Sequence, residues 1–172
     1  MSDFLRKNYF ELFELPLQFD IDTALLRERY RKLQKAVHPD KFAADSAQAQ
    51  RLAMQYAAHA NQAFQVLKDP VSRGFNLLMV LGYECAPESS TIKDPMFLME
   101  QMELRERMEE AGDIFDIEEL CSEVDEKVLS LEDEVNSCLQ ASATSDELAK
   151  AELALNKMQF FKKFLVEIEE KL

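Results

Sequence analysis

Apolar residues return at helical spacing along most of this chain. Leu26, Tyr30, Leu33 and Val37 form one stripe, and Leu52, Tyr56, Ala60, Ala63, Phe64 and Leu67 a second. Ile117, Leu120, Cys121, Val124, Val128, Leu131, Val135, Cys138 and Leu139 make a third. Ala151, Ala154, Leu155, Met158, Phe161, Leu165 and Ile168 make a fourth. This period is that of helices with one face in a core. Start and stop signals frame them. Asn8 with Glu11 reads as a capping box opening a short apolar helix that Pro16 ends. Asp22 caps a helix from Thr23 to about Val37, with Ile21 and Leu26 as its hydrophobic staple. A second helix runs from Gln48 to Lys68. Asp69-Pro70 and Asp94-Pro95 each give a cap followed by Pro at the first helical position, and Gly82 and Gly112 supply the matching stops. Asp116 with Glu119, and Thr144 with Glu147, read as two further capping boxes. The pattern predicts an all-α protein.

Two helices depart from a single stripe. The one after Asp69-Pro70 carries Phe75, Leu77, Leu78, Met79, Val80 and Leu81, apolar on several sides, and reads as a bridge to a second module. The one after Asp94-Pro95 has two apolar sectors. Phe97, Leu104, Met108 and Ala111 suit a core; Leu98, Met99 and Met102 lie elsewhere, among Glu103 and Glu106. One stripe suffices to hold a helix in a bundle, and methionine is common at adaptable binding surfaces. In the last helix Leu153, Phe160 and Phe164 fall outside the stripe. They either widen the core or pack on the first module, or, for Phe160 at least, join the Leu98/Met102 patch.

Between the first two long helices stands His38-Pro39-Asp40-Lys41. Pro39 disfavours the helical region for His38, so the helix must stop there. Asp40 can bond back to the backbone and complete a stiff turn. Arg27, Arg31, Lys32 and Lys35 form the face opposite the apolar stripe of the preceding helix, interrupted only by Glu28. Such a face is ordinarily just solvated; one leading straight into this loop reads better as a docking surface.

Charge divides the chain. Residues 1–82 carry 11 basic and 9 acidic side chains, a net +2, whereas residues 83–172 carry 9 and 24, a net −15. Two modules with different partners follow from that asymmetry, and nucleic acid is excluded as the main ligand of the acidic half. Three widely spaced cysteines and two histidines argue against a disulfide framework or a zinc site. Cys121 and Cys138 read as small buried hydrophobes, and His59 as a packed, hydrogen-bonded histidine. No apolar run is long enough to span a bilayer and the N-terminus lacks a signal core, so a cytoplasmic protein without a membrane partner is expected.

Several of these segments, in order and spacing, resemble the J-domain family. They are Tyr9-Phe10-Glu11-Leu12-Phe13, Tyr30-Arg31-Lys32-Leu33, His38-Pro39-Asp40-Lys41, Asn61-Gln62-Ala63-Phe64, Leu67 and Asp69-Pro70. No Gly/Phe-rich segment and no Cys-x-x-Cys repeat follows, which excludes the general DnaJ architecture. The continuations Arg73-Gly74-Phe75-Asn76-Leu77-Leu78 and Phe97 to Glu106 resemble the HscB branch, J-proteins of iron–sulfur cluster assembly. The resemblance implies a J-domain over residues 1–82, built on an antiparallel helical hairpin with flanking helices. A connector over 83–93 and a C-terminal three-helix client-binding bundle over 94–172 would follow.

It further implies a co-chaperone that stimulates the ATPase of an HscA-type chaperone and delivers an IscU-type scaffold to it. The stimulatory signal would lie on His38, Pro39 and Asp40, beside Lys41, with Arg27, Arg31, Lys32 and Lys35 as docking surface. The client would meet Leu98, Met99, Met102, Glu103, Glu106 and Phe160. No phosphate loop and no nucleophile–base set is legible, so neither an enzyme, a cofactor nor a bound metal is expected. Two rivals are a J-domain co-chaperone for another client and a helical adaptor that no longer signals, against which the intact His38-Pro39-Asp40 counts. A metal-binding or redox protein is a third, against which the buried-looking cysteines count.

Overall fold

The computed structural model describes residues 4–42, 46–86, 94–140 and 142–171. Among them the chain forms seven α-helices and no strand. They are α1 (Tyr9–Leu12), α2 (Thr23–Val37), α3 (Ala47–Lys68), α4 (Pro70–Val80), α5 (Pro95–Glu110), α6 (Ile114–Cys138) and α7 (Ser145–Glu169). Short 3-10 turns stand at Phe4–Arg6 and Pro39–Phe42. Two compact units result, Met1–Leu81 and Gly82–Leu172.

In the first unit, α2 and α3 pair as an antiparallel hairpin. Leu26 and Val37 of α2 are buried, as are Ala53, Tyr56, Ala60, Ala63 and Leu67 of α3. The small alanines let the helices approach closely, and each fully buried leucine contributes roughly 2 kcal/mol of apolar burial. Tyr30 clasps the pair: its hydroxyl donates to Asn61 Oδ1 at 2.8 Å and its ring stacks on Phe64 at 4.1 Å. Asn8 and Glu11 form the expected capping box, but α1 stops at Leu12, before Pro16. Glu14 turns left-handed at φ 52°, and the Arg29 guanidinium donates to the carbonyls of Phe13 and Glu14. The chain therefore reverses by a bound turn and not by the proline.

Asp69 accepts from the Ser72 N–H and caps α4 at Pro70 as expected, and Gly82 at φ 80° takes the left-handed position beyond its end. Arg73 is buried, an outcome its charge concealed. Its guanidinium donates to the Leu67 carbonyl at 2.9 Å and lies 4.9 Å from the centre of the Phe19 ring. It satisfies a last-turn carbonyl of α3 while the aromatic face offsets part of its desolvation. His59 packs edge-on to Phe4 and Tyr9 at 6.0 and 5.6 Å. Its Nε2 is buried without a hydrogen-bond partner among the described residues, which corrects the expected hydrogen-bonded histidine.

In the second unit, α5, α6 and α7 surround a core of Phe97, Leu104, Leu120, Val124, Val135, Leu155, Met158 and Phe161. The N-cap of α6 is Asp113 and not Asp116: Asp113 accepts from the N–H groups of Phe115 and Asp116. Asp116, one turn on, reaches back to the Gly112 N–H at 2.8 Å. Thr144 and Glu147 form the expected capping box of α7. Phe164 is buried and widens the core, one of the alternatives its place outside the stripe left open. α7 packs against both α5 and α6, so its buried arc is wider than one stripe. Cys121 and Cys138 are half-buried, less enclosed than expected. Tyr83 and Ala86 are fastened to α7: the Tyr83 hydroxyl and the Ala86 N–H donate to the two oxygens of Glu152, at 2.9 and 2.6 Å. The rest of the expected connector, 87–93, lies outside the described residues.

Candidate functional site

Each unit presents one surface of distinct chemistry. On the first, Asp22 caps α2 by accepting from the N–H groups of Ala24 and Leu25, both at 2.9 Å. With the cap and the buried Leu26 and Val37 fixing the helix phase, Arg27, Arg31, Lys32 and Lys35 are all exposed. They line one shallow groove with Ala24 and Glu28. Lys32 pairs with Glu28 at 2.6 Å and holds that carboxyl below its usual range. Lys32 thus spends part of its charge within the helix, although exposed pairs of this kind are weak.

At the end of α2, His38 leaves the helical region with ψ 127°, as the following proline demands. Its carbonyl accepts from the Lys41 N–H at 3.0 Å, closing the turn. The His38 side chain is exposed and shares an open depression with Gln34, Lys35 and Lys41. Lys35 belongs to both concavities, so the basic groove continues directly into the depression at His38. The backbone of Pro39 and Asp40 lies in the 3-10 turn; their side chains lie outside the described residues. Of the eight residues expected on this surface, six are therefore brought onto one strip. Gln34 borders it too: its side-chain amide donates to the Tyr30 hydroxyl at 3.3 Å, linking the strip to the hairpin clasp.

On the second unit, Asp94 caps α5 and also accepts from Lys157 Nζ of α7 at 2.9 Å. That hydrogen bond holds the Asp94 carboxyl below its usual range. Phe97 and Leu104 turn inward, 1% and 2% exposed. On one flank of α5, Arg107 pairs with Glu123 of α6 at 2.6 Å, and Lys127 of α6 pairs with Glu100 at 2.7 Å. Arg107, and then Lys127, lower the pKa of Glu123. On the other flank, Arg105 pairs with Glu167 of α7 at 3.1 Å and lies over the rings of Phe160 and Phe164, about 6 Å from each centroid.

With both flanks engaged, the outer sector of α5 is left to solvent. Leu98, Met99 and Met102 are 40%, 65% and 72% exposed, and Glu103 and Glu106 are exposed beside them. Met96, 74% exposed, extends this face by one turn and escaped the sequence reading. Its signal was present: Met96, Met99 and Met102 recur every third residue. Phe160 is half-buried, with its ring edge-to-face on Phe97 at 5.5 Å and stacked on Phe164 at 5.9 Å. It borders α5 on the Arg105 flank, the side toward which Leu98 and Met102 turn at about 100° per residue. The ring contacts with Phe97 and Phe164 make Phe160 a residue that widens the core.

Residues 93–169 match the family described as the HSCB C-terminal oligomerisation domain. A co-chaperone protein HscB homolog from Shewanella halifaxensis is 45% identical over 165 residues, covering 94% of this chain and 94% of its own. The chain belongs to the HscB co-chaperone family. Two solved HscB structures are similar throughout. Chaperone HscB from Vibrio cholerae has a TM-score of 0.84 at 38% identity, with 95% of this chain and 96% of that one covered. Human co-chaperone protein HscB has a TM-score of 0.88 at 32% identity, with 96% and 82% covered. The all-α, J-type HscB fold is thereby established, and the relatives are named as co-chaperones. Among the described residues no cluster of three His, Cys, Asp or Glu side chains is placed to hold a metal ion. No described helix is long and apolar enough to cross a membrane.

Proposed function

We propose that this HscB-family co-chaperone stimulates ATP hydrolysis by an HscA-type chaperone and delivers to it an IscU-type iron–sulfur scaffold. The observation that carries the reading is the continuity of the basic groove of α2 with the depression holding Lys35, His38 and Lys41. A cationic strip steers an acidic partner surface, and the turn at its end presents His38 to solvent beside Lys35 and Lys41. On α5, a desolvatable apolar centre of Leu98, Met99 and Met102 with Glu103 and Glu106 at its rim has the anatomy of a client interface. The protein performs no chemistry itself; it works by holding two partners. It does so in the cytoplasm without a cofactor.

The test is an ATPase assay on an HscA-type chaperone, with and without this protein and a purified IscU-type scaffold. Stimulation should be greatest with both present. His38→Gln should abolish stimulation and leave both helicity and scaffold affinity unchanged, because the side chain is exposed at a helix end. Full stimulation by that variant at saturation would remove His38 from the mechanism.

A further inference from the structure

Met96, Met99 and Met102 stand at 74%, 65% and 72% exposure on one helix. In an α-helix, steps of three residues advance about 4.5 Å and turn back about 60°, so the three side chains form a single band along α5. The remaining thioethers of this unit differ: Met158 is fully buried and Met108 half-buried. Nor do the thiols compete well. Cys85, Cys121 and Cys138 are all half-buried, and burial pushes the thiols of Cys85 and Cys121 up, away from the reactive thiolate. A thioether needs no deprotonation, so its reactivity toward peroxide follows exposure. The most accessible sulfur atoms of the second unit are therefore those that cover its apolar docking face.

We propose that the Met96/Met99/Met102 band is an oxidation-sensitive modification site through which a peroxide reversibly switches off client binding. The proposal rests on the reading of this face as the client surface. In each step the thioether sulfur attacks one peroxide oxygen and the O–O bond breaks. The sulfur becomes a sulfoxide, oxidised by two electrons, and hydrogen peroxide is reduced to water. The product is polar and chiral where the thioether was apolar and flexible. Burying three such groups without matched donors opposes docking, whereas the core, with Met158 enclosed, keeps its packing. Glu103 and Glu106 remain as a charged rim, so long-range steering survives while the anchors are lost.

The experiment treats the full chain with graded hydrogen peroxide, maps sulfoxides by peptide mass spectrometry, and titrates each sample against a purified IscU-type scaffold. Helicity is followed by circular dichroism. Met96, Met99 and Met102 should oxidise while Met158 does not, and scaffold affinity should fall at least about tenfold with helicity unchanged. Treatment with methionine sulfoxide reductases of both stereospecificities, with a dithiol supplying the two electrons and released as its disulfide, should restore it. The Met96→Leu/Met99→Leu/Met102→Leu variant has no sulfur on this face, so its affinity, whatever its value before treatment, should not change with peroxide. Unchanged affinity with all three sulfoxides mapped would overturn the proposal. So would an equal loss in the leucine variant, or three thioethers left intact at a dose that oxidises the exposed Met54 and Met79. Absence of binding by the untreated protein would be a different failure, that of the client reading itself, and the proposal would fall with it.

Discussion

Phe97 meets Phe160 edge to face, with ring centroids 5.5 Å apart. A fully buried anchor of α5 thus leans on a half-exposed ring of α7, and on the proposed reading Phe160 would serve both the core and the client face. Phe160→Ala should therefore do two things. It should destabilise the second unit by about 2 kcal/mol, less than a fully buried phenylalanine because part of the ring is solvated. It should also weaken scaffold binding. Phe160→Leu refills most of the volume and should recover most of the stability. Urea unfolding and a scaffold titration on both variants separate the effects: affinity that tracks stability would reduce Phe160 to a core residue alone.

The outer sector of α5 makes the opposite prediction. Leu98 and Met102 are exposed while Phe97 and Leu104 already fill the core. Leu98→Ala/Met102→Ala should cost no more than about 0.5 kcal/mol of stability, as surface substitutions do. It should retain chaperone stimulation by the co-chaperone alone and lose the scaffold's contribution. Equal scaffold affinity in the folded double variant would place the client elsewhere.

These two predictions differ in how far the sequence foresaw them, and the reason is physical. Caps and prolines act within three or four residues, so Asp22, Asp69-Pro70, Asp94-Pro95 and Thr144 announce their helices locally. The exposed sector of α5 was legible because its core sector was already complete. Asp113 and Asp116 carry the same side chain one turn apart, and local chemistry alone does not choose between them. Phe164 was left open between core and surface because a single-stripe wheel assumes one packing partner, and α7 has two. Arg73 is stabilised by the Leu67 carbonyl and the Phe19 ring, one six residues away and the other fifty-four; no periodicity records that pairing. At the basic strip the residues were foreseen, but the sharing of Lys35 between two concavities needed the turn's geometry.

That geometry ranks the charges of α2. Arg27, Arg31 and Lys35 face the groove, and Lys32 is engaged by Glu28. Arg27→Glu/Arg31→Glu/Lys35→Glu should weaken docking to the chaperone strongly at low salt and much less at high salt, since exposed charges are screened beyond about 10 Å at 0.1 M. Lys32→Gln should have the smallest effect of any single neutralisation on this face. Association rates measured across a salt series give both answers. A triple variant with unchanged rates at low ionic strength would make the face merely solvated.

The burial of His59 predicts a pH dependence for the first unit. Its imidazole packs among Phe4 and Tyr9, with Nε2 buried and without a hydrogen-bond partner among the described residues. Burial lowers its pKa from the ordinary 6.5. In the unfolded chain the ring takes up a proton near that ordinary value, while the folded state resists it until lower pH. The stability tied to neutral His59 is therefore full above about pH 6.5 and is lost as pH falls through the lowered folded value. The depressed carboxyl of Glu28 in the same unit has an ordinary value of 4.5 and acts only in a more acid window. Between pH 7.5 and 5.5 the urea midpoint of the first unit should fall in the wild type. His59→Phe keeps an aromatic ring and cannot be protonated, so its midpoint should stay nearly flat. Equal slopes for the two proteins would show that the imidazole escapes to water on protonation at no cost. The expected divergence would show that Phe4 and Tyr9 hold it in place.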